Sequence, residues 1–149
     1  MHGIAFEIFG SVKRDFLAGQ ALQLPADEFR HQDLILERFN LKADLLLKEG
    51  TEIRLGNTAL TTMHTPGHTP GSAVFYVANE GVLFSGDTVM AGASGRTDLR
   101  DGSPGKMTLS LRRLYRELPG DTKILPGHGP ATTLRNESWI ADIEYPLLR

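Results

Sequence analysis

The sequence predicts an α/β domain in which helices and a sheet form separate layers. Short runs rich in β-branched and aromatic residues, such as residues 73–77, are bounded by glycine-containing turns and indicate strands. Residues 104–118 instead repeat apolar side chains at helical spacing. The chain has 149 residues, 40% of them hydrophobic, which is enough for one domain with a core. We therefore treat residues 1–149 as a single domain.

The first part of this domain, residues 1–40, is predicted to be a helical lead. Ser11 is placed to cap a short helix that ends before Gly19. A second helix is expected over about residues 27–39, where Phe29, Leu36 and Phe39 share one face. His31 lies on this helix, and we interpret it as a surface residue.

Residues 41–149 carry the predicted strands and the motifs. The turn at Gly56-Asn57 predicts a hairpin, and its return strand leads to His64. Pro104 suits the start of the strongest helix, which Gly120 ends. A last helix is expected over residues 134–143. Strands are expected over residues 45–47, 53–55, 59–64, 73–77, 82–84 and 123–125.

Composition excludes several classes of function. The net charge is -2 and no basic run is present, which argues against a nucleic-acid partner. No apolar run approaches the roughly 20 residues of a membrane span. The N-terminal residues lack the pattern of a signal peptide, so we expect a cytoplasmic protein. The absence of cysteine leaves His, Asp and Glu as the candidate metal ligands.

Three predicted strands end in a glycine-containing turn that presents a potential metal ligand. These ligands are His68, Asp87 and His128. Strand ends of a parallel or mixed sheet gather along one edge, where α/β proteins commonly build sites, so we expect the three side chains to converge. Two imidazoles and a carboxylate suit zinc, iron or manganese.

Three further residues lie beside these candidates. His64 precedes His68 by four residues, and we expect it to support the loop or serve a structural role. Arg96 and Asp98 follow Asp87 on a glycine-containing loop. They are expected either to pair with each other or to orient a group of the site.

Four segments together resemble the metallo-β-lactamase fold superfamily, and within it the glyoxalase II (hydroxyacylglutathione hydrolase)-like hydrolases. The segments are Thr65-Pro66-Gly67-His68-Thr69-Pro70-Gly71, Phe84-Ser85-Gly86-Asp87-Thr88, Gly95-Arg96-Thr97-Asp98 and Leu125-Pro126-Gly127-His128-Gly129-Pro130. The resemblance implies an αβ/βα sandwich with two metal ions, zinc in the first place. It implies that His68 binds one ion, His128 the other, and Asp87 both. A metal-activated hydroxide would then attack the carbonyl of a thioester or ester.

The chain departs from this family in its first half. The His-x-His-x-Asp-His motif, which supplies four of the family's metal ligands, is absent. The expected fold is therefore a partial, truncated sandwich, mainly its C-terminal half. Each ion would keep two protein contacts, whereas catalytic zinc normally has three. The alternative is a non-catalytic remnant that acts as a binding or assembly module with an incomplete metal site.

Two further expectations follow from the resemblance. The Gly-Arg-Thr-Asp loop also occurs in a persulfide-oxidising iron branch, although the Pro-Gly-His-Gly-Pro segment favours the hydrolases. A chain that retains one sheet would expose Val74, Tyr76 or their alternates as an apolar face. We therefore expect a homodimer or a completing partner chain.

Overall fold

A computed structural model of the chain describes residues 47–98 and 101–143, which build one six-stranded sheet with helices on it. The order of the strands in the sheet follows their order in the sequence. The predicted helices of residues 1–40, and with them His31, lie outside the described residues, as do residues 45 and 46 of the first expected strand. The strands are β1 (Glu52–Leu55), β2 (Thr58–His64), β3 (Ala73–Val77), β4 (Val82–Gly86), β5 (Lys123–Pro126) and β6 (Thr132–Thr133).

The directions of the strands bring three strand ends to one edge of the sheet. β2 pairs antiparallel with β3, and β3 pairs antiparallel with β4, so β2 and β4 run the same way. β5 pairs parallel with β4. The C-terminal ends of β2, β4 and β5 therefore share one edge, which we call the site edge. The predicted hairpin is confirmed, since Leu55 pairs with Thr58 across the Gly56-Asn57 turn.

The one α-helix of the described residues, α1 (Pro104–Glu117), covers one face of the sheet. Ser103 caps it by accepting a hydrogen bond from the Lys106 backbone N–H, and proline occupies its first turn. Its apolar stripe is buried against the sheet, as the helical spacing predicts. The buried members of that stripe are Met107, Leu111 and Leu114.

The two faces of the sheet differ in how well they are covered. Val74 is 0% exposed because α1 lies over it, and Tyr76 packs against the same core. Of the two faces that the expectation left open, Val74, Tyr76 or their alternates, the face of Val74 and Tyr76 is therefore the covered one. The alternate residues point to the opposite face, where Phe75 is half-buried and Phe84 is 43% exposed.

The C-terminal part differs from the prediction. The expected helix of residues 134–143 is a 3-10 helix, Leu134–Ile140, interrupted by non-helical backbone angles at Glu137. Its buried residues recur every third position, which matches the three residues per turn of this helix type. Strand β6, which pairs with β5, was not predicted. Among the described residues, no helix has the length and hydropathy needed to cross a membrane.

Candidate metal centre at the site edge

The carboxylate of Asp87 lies between two imidazoles. Asp87 follows β4 directly, and its Oδ2 is 3.4 Å from His68 Nε2. Its Oδ1 is 3.4 Å from Nε2 of His128, which follows β5. The structure thus brings together the three side chains that the sequence predicts to converge, and each carboxylate oxygen faces a different histidine.

These distances fit metal ligands better than they fit hydrogen bonds. An N–H···O hydrogen bond most often has a donor–acceptor distance of about 2.9 Å, whereas two ligands each about 2.1 Å from one tetrahedral zinc ion lie roughly 3.4 Å apart. Both imidazole–carboxylate pairs have that spacing. The donor set, imidazole nitrogen with carboxylate oxygen, is one that zinc and iron accept. His68, Asp87 and His128 therefore fit one ion on each side of the carboxylate.

The tautomer of His68 is fixed by its second ring nitrogen. His68 Nδ1 lies 2.7 Å from the backbone carbonyl oxygen of Arg96. A carbonyl oxygen can only accept, so Nδ1 donates this hydrogen bond, and Nε2 is the ring nitrogen that faces Asp87. A hydrogen bond behind a ligating histidine is the usual way to orient the ring towards a metal.

The loop that carries His68 is held by α1. The backbone carbonyl of Pro66 accepts from Ser110 Oγ at 2.8 Å, and that of Gly67 accepts from the Ser103 N–H at 2.8 Å. A Cβ at Gly67 would lie 2.5 Å from the Met107 Cα, so only glycine allows the loop to approach the helix this closely. These contacts with α1 therefore fix the position of the loop that carries His68.

Glycine is also required where β5 delivers His128. The Gly127 N–H donates to the Gly86 carbonyl at 2.8 Å, which joins the ends of β4 and β5. A Cβ at Gly127 would lie 2.8 Å from Asp87 Oδ1. The side chains of His68 and Asp87 are 16% and 20% exposed, whereas that of His128 is 59% exposed. The centre is therefore open on the His128 side.

The three residues predicted to support the site have different roles. His64 Nε2 lies 2.9 Å from the Pro70 carbonyl, so this ring ties β2 to the end of the His68 loop and does not face Asp87. Arg96 and Asp98 form a two-bonded ion pair at 2.8 and 2.9 Å, and both side chains are exposed. This pairing lowers the pKa of Asp98. Arg96 meets the site through its backbone carbonyl, a contact that no side-chain pattern in the sequence indicates.

The number of ligands stays below that of a complete catalytic site. Within residues 47–98 and 101–143, no three His, Cys, Asp or Glu side chains are placed so that all three could hold the same metal ion. Each side of Asp87 offers one imidazole and one oxygen, as the count from the sequence anticipated. A full coordination shell therefore needs ligands from outside the described residues, or water.

A buried carboxylate behind the site was not predicted from the sequence. Glu137 is 2% exposed and accepts hydrogen bonds from the Gly92 backbone N–H, Thr132 Oγ1 and Trp139 Nε1 at 2.7, 2.6 and 2.7 Å. Burial alone would raise its pKa, but these three donors outweigh that effect and hold the pKa below its ordinary value. The three-residue spacing of Leu134, Glu137 and Ile140 is the sequence signal that marks Glu137 as inward-facing.

Comparison with known proteins gives a matching family and several similar proteins. The family model of the metallo-β-lactamase superfamily matches residues 12–128. A hydroxyacylglutathione hydrolase from Cereibacter sphaeroides is 45% identical over 85 residues, which cover 57% of this chain and 32% of that protein. The human mitochondrial persulfide dioxygenase ETHE1 is 36% identical over 97 residues, or 65% of this chain and 38% of that protein.

A solved structure is also similar to this chain. The protein TTHA1623, crystallised in a di-iron-bound form, superposes with a TM-score of 0.60 at 34% identity, covering 80% of this chain and 64% of that one. The chain spans less than half the length of the curated relatives that it matches.

Proposed function

The chain belongs to the metallo-β-lactamase superfamily. We propose that it is a metal-dependent hydrolase of a thioester or ester, of the glyoxalase II type. The single observation that supports this proposal most is the position of the Asp87 carboxylate, with one oxygen 3.4 Å from each of two imidazoles. That arrangement suits two divalent ions bridged by one carboxylate. Zinc is the first candidate, and iron is the second, because a similar structure binds two iron ions.

The residues divide the work of such a centre. Two divalent ions supply a water activated for attack and polarise the carbonyl of the substrate. His68, His128 and Asp87 would hold the ions, and the Arg96 carbonyl accepts from His68 Nδ1, which leaves Nε2 as the nitrogen available for a metal. The exposed side at His128 leaves room for an acyl substrate to approach from solvent.

We also propose that a second copy of the chain, or a separate partner chain, completes this centre. Two observations support it: each side of Asp87 offers only one imidazole and one carboxylate oxygen among the described residues, and Phe84 is 43% exposed on the face of the sheet opposite α1. Light scattering at micromolar concentration tests this part, and a monomer that binds two zinc ions tightly would overturn it.

A second candidate activity is persulfide oxidation at iron. It is favoured by the 36% identity to a persulfide dioxygenase and by the similarity to a di-iron protein. A third candidate is a binding or assembly module without catalysis, which the incomplete ligand count favours. Metal content separates the third candidate from the first two, and the substrate assay separates the first two from each other.

The deciding experiment measures metal content and turnover on the same protein. Chain purified with zinc, and separately with iron, is assayed for hydrolysis of S-lactoylglutathione and of simple aryl esters, and for oxygen uptake with glutathione persulfide. We expect zinc binding and thioester or ester hydrolysis, both lost on chelation and in the Asp87→Asn variant. Asp121→Asn removes an exposed carboxylate that precedes β5, at the opposite edge of the sheet, and is the matched control.

Oxygen uptake without hydrolysis would replace the hydrolase by the dioxygenase. If metal-loaded protein turns over none of these substrates, the binding or assembly module is the remaining candidate function. Equal zinc content in Asp87→Asn and Asp121→Asn would contradict the assignment of the centre itself.

A further inference from the structure

We infer that Glu137 is a positioning residue of the Asp87 centre, a role that rests on the metal-binding function proposed above. Glu137 touches none of the three candidate ligands. Its side chain instead holds two segments that frame them, the loop after Asp87 and the strand that follows the His128 loop. Its hydrogen bonds reach these two segments separately.

The first hydrogen bond leads to Asp87 and His68. Glu137 Oε2 accepts from the Gly92 N–H at 2.7 Å, at the tip of a tight turn closed by two backbone hydrogen bonds between Met90 and Ala93. The chain then returns so that the Gly95 N–H donates to the Asp87 carbonyl at 2.7 Å. The next residue, Arg96, presents the carbonyl that accepts from His68 Nδ1. The turn therefore connects Glu137 to the segments that contact Asp87 and His68.

The second hydrogen bond leads to His128. Glu137 Oε1 accepts from Oγ1 of Thr132 at 2.6 Å, and Thr132 pairs with Ile124 across β5 and β6. The His128 loop connects these two strands, so fixing β6 fixes the return of that loop. One buried carboxylate thus sets the spacing between the segments that hold His68 and His128.

The burial and charge of Glu137 strengthen its hydrogen bonds to these segments. Its side chain is 2% exposed, and hydrogen bonds to a buried charged acceptor are stronger than those between neutral groups. The third donor, Trp139 Nε1, comes from the same 3-10 helix and donates to Oε2, the oxygen that also accepts from the Gly92 N–H. Trp139→Phe removes this one donor and leaves the two hydrogen bonds that lead to the loops, so it serves as the comparison variant.

The test compares Glu137→Gln, Thr132→Val and Trp139→Phe in the full-length chain. Zinc affinity is measured by competition with a coloured chelator. Solvent exchange of the His68 Nδ1 proton is measured by NMR on metal-free protein labelled at histidine nitrogen. We expect Glu137→Gln to weaken zinc binding about tenfold, the lower end of what loss of a group behind a ligand costs, and to speed the proton exchange.

The variants separate positioning from stability. Thr132→Val should weaken zinc binding without speeding His68 exchange, because only the His128 side is released. Trp139→Phe should lower the free energy of unfolding while both site readouts stay at wild-type values. If Glu137→Gln does not fold, the contrast between Thr132→Val and Trp139→Phe decides. Equal site readouts in all folded variants would overturn the inference.

The NMR readout also separates this inference from the proposed function. If wild-type chain binds no zinc but Glu137→Gln still speeds the His68 exchange, the positioning role stands and the hydrolase proposal fails. If wild-type chain binds zinc and Glu137→Gln changes neither readout, the hydrolase proposal stands and the positioning role fails.

Discussion

Replacing Gly127 by alanine should damage the metal centre while leaving the fold intact. The added Cβ would lie 2.8 Å from Asp87 Oδ1, which is about 0.6 Å short of an ordinary 3.4 Å contact. The carboxylate or the His128 loop must therefore move by roughly that amount. Metal–ligand distances in a well-formed site lie within about 0.2 Å of their standard values. We expect zinc affinity to fall about tenfold or more, which corresponds to about 1.4 kcal/mol.

Chelator competition measures this affinity, and thermal unfolding of the metal-free protein measures the fold. The matched control is Gly120→Ala, because a Cβ there meets only Arg135 side-chain atoms at 3.7 Å or more. Gly127 lies in an exposed loop, so both variants should unfold near the wild-type temperature. Equal zinc affinity in the two variants would refute the placement of Asp87 Oδ1 against Gly127.

Three further predictions concern the supporting structure. Gly67→Ala places a Cβ 2.5 Å from the Met107 backbone, so it should lower the free energy of unfolding by about 1–3 kcal/mol in a urea titration, and an unchanged midpoint would contradict the close approach of the loop to α1. Arg113 donates hydrogen bonds to Glu49, Glu117 and the His64 carbonyl where α1 meets the segment before β1, and it holds the pKa of Glu49 below its ordinary value although burial alone would raise it. Arg113→Met should lower the free energy of unfolding by about 1 kcal/mol at low salt. The same loss at about 1 M salt would argue against an electrostatic origin. The folded-state pKa of Glu137 lies below its unfolded value, so the stabilisation that its charged carboxylate provides is complete above the unfolded pKa and disappears as pH falls through the folded pKa. The difference in free energy of unfolding between wild type and Glu137→Gln should therefore narrow from pH 7 towards about pH 3. A constant difference would contradict the charged state of Glu137.

The parts of the fold that follow local rules were predictable from the sequence. The Gly56-Asn57 hairpin and the helix start at Pro104 depend on residues adjacent in the chain, and both are confirmed. The convergence of His68, Asp87 and His128 was also predictable, because strands that run the same way end at the same edge. That these residues bind metal stays a prediction.

The remaining features depend on contacts between distant segments. Strand β6 has only two residues and exists because β5 offers it a partner, so no periodic pattern marks it. The sequence left open whether Val74 and Tyr76 or their alternates form the exposed face, because it does not show which side of the sheet α1 covers. Arg96 acts through a carbonyl that every residue type has, so the identity of the side chain misdirects the prediction.

Anomalous diffraction at the zinc edge shows whether the Asp87 carboxylate bridges two metal ions, as we propose. Crystals of zinc-loaded protein should show two peaks, one between His68 Nε2 and Asp87 Oδ2 and one between His128 Nε2 and Asp87 Oδ1. Saturating zinc with no peak at either position, or an Asp87 carboxylate turned away from both imidazoles, would contradict the account.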